Sequence, residues 1–157
     1  MQGRMLNHQM ASKEIESLLA RAKTGTLATI NADVTPYITP IHFVRKDGAV
    51  YFHGLPAGQK ISNLKANQNV CFNVYEMDKL LFDPNENPCD TNTKYESITI
   101  QGKVNFVQEL DKKREILSAI VGKYTPQLLG REFPPNMLKG TAVLELVPHQ
   151  ITGKYFC

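Results

Sequence analysis

Short segments with the composition of β-strands, joined by tight turns, dominate the first half of the chain. Segment 25–30 is rich in Thr and aliphatic residues, and Asn31–Asp33 predicts a turn before segment 37–45. Asp47-Gly48 is a typical hairpin turn, and segment 49–53 follows it at once. Because these connections are too short for crossover helices, the pattern predicts an antiparallel meander.

Further strands are predicted at 70–75, at 95–107 with a bend or bulge at Gly102, and at 141–147. Helical periodicity appears only around them, after Ser12, after Pro56 and after Asp111. The 157 residues suit one domain spanning 1–157. We predict a mainly β, α+β fold in which six antiparallel strands form a small barrel with flanking helices.

Composition argues against several classes of function. The formal net charge of +3 and the scattered basic residues do not favour nucleic-acid binding, and no apolar run is long enough to span a bilayer. The N-terminal segment lacks the apolar core of a secretory signal, so we expect a cytoplasmic protein. Three cysteines without a CxxC pair, and no His, Cys and acidic set with ligand spacing, predict no metal site.

The segment from His53 to Lys60 is the strongest candidate for chemistry. A strand ends there, a Gly/Pro turn follows, and a helix begins. Helix N-termini bind phosphate, Gly58 permits close approach of an anion, and Lys60 adds a positive charge. An ordinary strand–helix junction with a solvent-facing lysine explains the same residues equally well.

The order of several motifs resembles the FMN-binding split-barrel family related to pyridoxamine phosphate oxidase, and most closely its nitroimidazole-resistance branch. The resembling segments extend from Leu18 to Lys154. They are Gly25-Thr-Leu-Ala-Thr29, Pro36-Tyr-Ile-Thr-Pro-Ile-His-Phe-Val44, Val50-Tyr-Phe-His53 with Gly58-x-Lys60, Tyr95-Glu-Ser97 with Gly102, and Ile151-Thr-Gly-Lys154.

The resemblance implies an FMN site and gives its residues roles. Thr39, Pro40 and Ile41 would lie along the isoalloxazine ring, with Phe43 packed nearby. His53 would lie between ring and phosphate, and the phosphate would meet Gly58, Gln59 and Lys60 with Asn63 close by. Ser97 would reach the flavin from the long strand of either subunit, and Lys154 would close the site.

The chain also departs from relatives that oxidise pyridoxamine phosphate. Those relatives carry an Arg-Lys pair at the phosphate, where this chain has Gln59-Lys60, and aromatic and arginine substrate clamps near the C-terminus. This chain has no Trp and ends in Gly-Lys-Tyr-Phe-Cys. The vitamin oxidase activity is therefore not expected.

The resemblance instead implies an FMN-dependent reductase of a small organic acceptor such as a nitroaromatic compound. His53 would be a proton donor, and a homodimer would hold FMN at its interface. Two alternatives use the same barrel. One is a flavin-binding protein without enzymatic activity, and the other is a haem-binding relative with His53 or His42 as ligand.

Overall fold

The computed structural model describes residues 7–157, in which four helices alternate with seven strands. The helices are α1 (Ser12–Arg21), α2 (Gln59–Ala66), α3 (Leu110–Tyr124) and α4 (Pro135–Gly140). The strands are β1 (Gly25–Ile30), β2 (Pro36–Ile41), β3 (Phe43–Lys46), β4 (Ala49–Gly54), β5 (Asn69–Leu81), β6 (Asn92–Phe106) and β7 (Ala142–Phe156). The mainly β, α+β class predicted from the sequence is confirmed.

All seven strands form one antiparallel sheet in the order β2-β1-β5-β6-β7-β4-β3. The prediction of six strands is wrong because the segment predicted as one strand over 37–45 divides at His42. Strand β1 begins at Gly25, opposite Ile41, so β2 has no partner residue beyond that point. From Phe43 onward the chain pairs with β4 instead.

The division at His42 places β2 and β3 at opposite ends of the sheet, although one residue separates them in sequence. In the described part of the chain the two end strands do not pair with each other, so hydrogen bonding does not close a barrel. Because His42 joins both ends, the sheet must curve until its two edges meet at this residue.

The concave side of this curved sheet contains the main hydrophobic core. Alternate residues of β1 are buried, as expected for strands with one face in a core. Three phenylalanine rings meet in its centre, with Phe72 edge-on to both Phe43 and Phe52 at centroid distances of 5.0 and 5.2 Å. Aliphatic residues of the other strands and of α1 and α2 complete this core.

A second, smaller core lies on the other face of β3, β4 and β7. There α3 and α4 cover Val44, Tyr51 and Val143 with Ile116 and Leu138. Both faces of β4 are therefore buried, which explains its unbroken apolar sequence from Ala49 to Phe52. Strand β4, which carries His53 near its end, is thus packed between the two cores.

The predicted irregularity at Gly102 is confirmed, because the β6–β7 register shifts between Gln101 and Gly102. A Cβ atom on Gly102 would lie 2.3 Å from the carbonyl oxygen of Val147, so no larger residue fits without movement of the backbone. The final strand β7 extends to Phe156, nine residues beyond the predicted end at Val147. Its second half pairs with the long strand β6, an interaction that local sequence does not reveal.

Candidate functional site

The junction between β4 and α2 forms the centre of the candidate site. Gly58 precedes the helix with φ 120° and ψ 171°, a conformation open to glycine alone. The helix therefore begins at Gln59 rather than at the predicted Pro56. In the described structure no side chain caps this helix, so the N–H groups of its first turn are free to bind an anion.

The Lys60 side chain folds back over the end of β4. A Cβ atom added to Gly54 would lie 3.6 Å from Lys60 Nζ, so the missing side chain of Gly54 makes room for the ammonium group. Lys60 forms no ion pair within residues 7–157. Its charge lies half-buried beside an uncapped helix N-terminus, an arrangement that attracts an anion.

His53 lies next to this ammonium group, at the end of β4. Its Nδ1 atom is buried and has no hydrogen-bond partner among the described residues. Burial, together with the nearby His42 and Lys60 charges, lowers the pKa of His53 below its ordinary value. The imidazole is therefore mainly neutral at pH 7, with one ring nitrogen available to a ligand.

Gln59 and Asn63 bind the turn between β1 and β2. The Gln59 amide donates to Asn63 Oδ1 at 2.9 Å and to Asn31 Oδ1 at 3.1 Å. Asn63, only 3% exposed, donates to Thr29 Oγ1 at 3.0 Å and to Asn31 Oδ1 at 2.8 Å. This network fixes the start of α2 against the sheet, and both residues support the helix N-terminus.

The segment from Thr39 to Phe43 lies at the junction of the two sheet edges. Thr39 Oγ1 is buried without a partner in the part of the chain that the structure describes, and Pro40 is exposed. Ile41 and Phe43 are core residues, and Phe43 is 0% exposed. Phe43 therefore supports the junction from beneath, while Pro40 is accessible from the edge.

Two residues that the sequence reasoning missed hold this junction in place. The Tyr124 hydroxyl accepts the Phe43 N–H at 2.9 Å and lies 2.9 Å from the carbonyl oxygens of Phe43 and Lys23. Its ring stacks on His42 at a centroid distance of 4.5 Å. Tyr124 reads in the sequence as part of the apolar stripe of α3, so nothing local indicates this role.

The second is Lys123, whose Nζ lies 3.8 Å from the centroid of the Phe43 ring and donates to the Leu19 carbonyl at 3.0 Å. Burial and the adjacent Lys23 charge lower the pKa of Lys123 to about 8. This ammonium group is therefore close to losing its proton at physiological pH.

The lowered pKa of Lys123 predicts a pH dependence of stability. Between about pH 8 and the ordinary lysine value of 10.5 the unfolded chain binds the proton more often than the folded chain. The free energy of unfolding should therefore rise with pH in this window, relative to the Lys123→Met variant, which has no group to titrate. Urea titrations of both proteins from pH 7 to 10 measure this, and parallel pH profiles would contradict it.

Ser97 and Lys154 lie in a different part of the sheet from His53. They face each other on β6 and β7, whereas His53 pairs with Val143 of β7. Eleven residues along β7 separate Lys154 from Val143, about 36 Å of strand. Within one chain, Ser97 and Lys154 therefore lie at the opposite end of β7 from the strand that carries His53.

A cavity of about 640 Å³ also lies at the end of the sheet remote from His53. Its charged groups satisfy one another, since Arg21 pairs with both Glu76 and Glu96. Within residues 7–157, no group of His, Cys, Asp and Glu has the geometry of a metal site. Over the same residues, no helix combines the length and apolarity that crossing a membrane requires.

Solved structures with the same fold include proteins whose names refer to flavins. A candidate 5-nitroimidazole antibiotic resistance protein from Bacteroides thetaiotaomicron is 27% identical, with a TM-score of 0.80 over 93% of this chain and 85% of that one. The FAD and heme binding protein from Mycobacterium smegmatis is 21% identical, with a TM-score of 0.85 over 94% and 73%. A protein described as an F420 reductase is 25% identical, with a TM-score of 0.59 over 87% and 94%.

No curated protein sequence matches the chain significantly. The family model for pyridoxamine 5'-phosphate oxidase, however, matches residues 11–155, nearly the whole chain. That match includes both sheet edges, the β4–α2 junction and the long strands β6 and β7. The chain therefore belongs to the pyridoxamine 5'-phosphate oxidase family.

Proposed function

We propose that this protein is an FMN-dependent oxidoreductase that reduces a small organic acceptor, such as a nitroaromatic compound. The observation that carries the proposal is the uncapped N-terminus of α2, flanked by the Lys60 ammonium group and His53. This arrangement fits the phosphate of FMN. The family, and the flavin-binding names of several relatives, support the same cofactor class.

The residues at the junction fit the two ends of FMN. The N–H groups after Gly58 and the Lys60 ammonium would hold the phosphate. The ring would lie along Thr39, Pro40 and Ile41, because β2 is an end strand and alternate backbone groups of an end strand lack a partner in the sheet. The unpartnered Thr39 Oγ1 atom offers a further hydrogen bond at this edge.

When bound, FMN would supply hydride and electron transfer between a reduced donor and the acceptor. The protein binds and orients the cofactor, and His53 holds a proton for the acceptor. A bound phosphate would favour the charged form of His53 and oppose the effect of burial on its pKa. The positively charged imidazole would then donate from the ring edge that faces the ligand.

We further propose that two copies of the chain share the site. Ser97 and Lys154 pair at the opposite end of β7 from Val143, the partner of His53, and a second copy of the chain would bring this end of β7 to the flavin. The outer face of the sheet also exposes Ile38 and Tyr75, apolar groups suited to an interface between copies. Light scattering should give twice the mass of one chain, and a flavin-loaded monomer would contradict the shared site.

The first test is the visible spectrum of the purified protein and the identity of any cofactor it releases. One FMN per chain, reduced by NADH or NADPH and reoxidised by a nitroaromatic compound, is the expected result. FMN that resists reduction by both donors would instead favour a binding protein without enzymatic activity. A Soret band would favour haem, with His53 or His42 as the ligand.

Replacing His53 tests the proton-donor role. His53→Ala should retain FMN but reduce acceptor turnover about a hundredfold, because general acids contribute roughly 10²–10⁴ in rate. The matched control is His149→Ala, which removes an exposed histidine on β7 outside the site. Single-turnover reoxidation of the reduced protein measures the effect, and equal rates for wild type and His53→Ala would exclude proton donation by His53.

A further inference from the structure

A strip of positively charged and imidazole side chains continues beyond the groups assigned to the FMN phosphate. It consists of Lys60, His53, His42, Lys123 and Lys23, and we call it the basic strip. The electrostatic effects of Lys60 and His42 on His53 link its first three members. His42 then stacks on Tyr124, and Lys23 and Lys123 lie beside the same ring.

No described carboxylate neutralises the basic strip. None of its three lysines forms an ion pair in the described part of the chain. The pKa values of His53 and Lys123 are both lowered, by burial first and then by neighbouring cations. Like charges gathered without counterions raise the free energy of the folded protein, and a bound anion would lower it.

The end of the basic strip beyond His53 is arranged around the Tyr124 ring. His42 is exposed, and its ring stacks on Tyr124 at 4.5 Å with an interplanar angle of 22°. The Nζ atoms of Lys23 and Lys123 each lie 5.7 Å from the centroid of the Tyr124 ring. Each ammonium group carries three N–H donors. Lys23 donates one of them to the backbone carbonyl of Lys123, and Lys123 donates one to the backbone carbonyl of Leu19.

An aromatic face flanked by ammonium groups recognises a planar ring that carries a negative charge. The imidazole face of His42 would stack on the ring, and Lys23 and Lys123 would bind the anionic substituent. Lys60 and the N–H groups at the start of α2 are the groups proposed to bind the FMN phosphate, so the phosphate does not require His42, Lys23 or Lys123. The stacked rings of His42 and Tyr124 also adjoin the β2–β3 junction, where the isoalloxazine ring is proposed to lie.

We propose that His42, Tyr124, Lys23 and Lys123 form the acceptor subsite, and that the preferred acceptor is a nitroaromatic compound that also carries a carboxylate group: the nitro group takes the electrons and the carboxylate binds the lysines. This inference rests on the proposed function, since it names the substrate class of the same site. A neutral ring of equal size would stack on His42 equally well but would leave both ammonium groups without a counterion. The protein should therefore discriminate by the charge of the substituent.

Equilibrium binding of benzoate and of its neutral analogue benzamide tests the subsite without relying on turnover. The probe is the imidazole C–H signal of His42 in the NMR spectrum of the purified protein, recorded with and without added FMN. We expect benzoate to bind about tenfold more tightly than benzamide, a difference of about one well-placed ion pair. Lys23→Gln should remove most of this preference and leave benzamide binding unchanged.

Lys65→Gln is the matched control, because it removes an exposed lysine from the last turn of α2, away from Tyr124. Equal affinities for benzoate and benzamide, or equal losses in Lys23→Gln and Lys65→Gln, would overturn the proposal. The titration without FMN separates the two hypotheses. Selective benzoate binding by a protein that takes up no flavin would support the subsite and reject the flavin function.

Discussion

Replacing Lys60 by methionine is expected to weaken FMN binding by a factor of ten to about one hundred. The ammonium group lies over Gly54, beside the uncapped start of α2, and has no described carboxylate partner that would compensate its loss. Hydrogen bonds to charged groups contribute about 1.5–3 kcal/mol, which corresponds to this range of affinity. Quenching of flavin fluorescence during titration of the apoprotein measures the dissociation constant.

Lys65→Met provides the control for Lys60→Met. Both variants remove one lysine from α2 and change the net charge equally, but Lys65 is exposed in the last turn of the helix. The control should bind FMN as the wild type does, and raising the salt concentration should weaken the wild type more than Lys60→Met. Equal losses of FMN affinity in both variants would mean that the net positive charge of the protein, rather than Lys60 in particular, attracts the phosphate.

Replacing Phe72 by alanine is expected to lower the free energy of unfolding by about 3–5 kcal/mol, the largest effect on stability that we predict. Phe72 is 0% exposed and makes edge-on contacts with Phe43 and Phe52. A Cβ atom on Gly25 would overlap the Phe72 ring at 2.1 Å, so the ring fills the space that this glycine leaves. Urea unfolding at fixed protein concentration measures the change.

Phe82→Ala is the matched control for the core variant, because it removes the same side chain from a position that is 76% exposed. Its free energy of unfolding should stay within about 0.5 kcal/mol of the wild type. Phe72→Ala should also weaken FMN binding, because Phe52 adjoins His53 on β4. If both variants were equally stable, the three-ring cluster would not be the centre of the core.

Some features of the site follow from local chemistry and were therefore predictable. The Gly/Pro turn after His53 predicted the junction between a strand and a helix, and Gly58 in this turn has a φ of 120°, which is open to glycine alone. The bulge at Gly102 likewise shows as a glycine within a strand pattern. The resemblance added the roles of His53 and Lys60 at the flavin, and the structure brings the two side chains together.

Other features depend on residues that are distant in the chain. Tyr124 lies 81 positions from Phe43, the backbone of which it holds, and periodicity gives it only a place on a helix. Lys123 and Lys23 are likewise neighbours only because α3 packs against the start of β1. Sequence patterns report the environment of one segment at a time and carry no information about such pairs.

The β-rich class, the hairpins and the β4–α2 junction could be predicted from the sequence, because turn chemistry and hydrophobic periodicity act over a few residues. The tertiary structure, in contrast, makes the chain change partner strand at His42, which turns six predicted strands into seven. It alone decided that Ser97 and Lys154 lie at the far end of β7 from His53. Strand pairing is a choice among distant segments, and the packing of the whole core makes that choice.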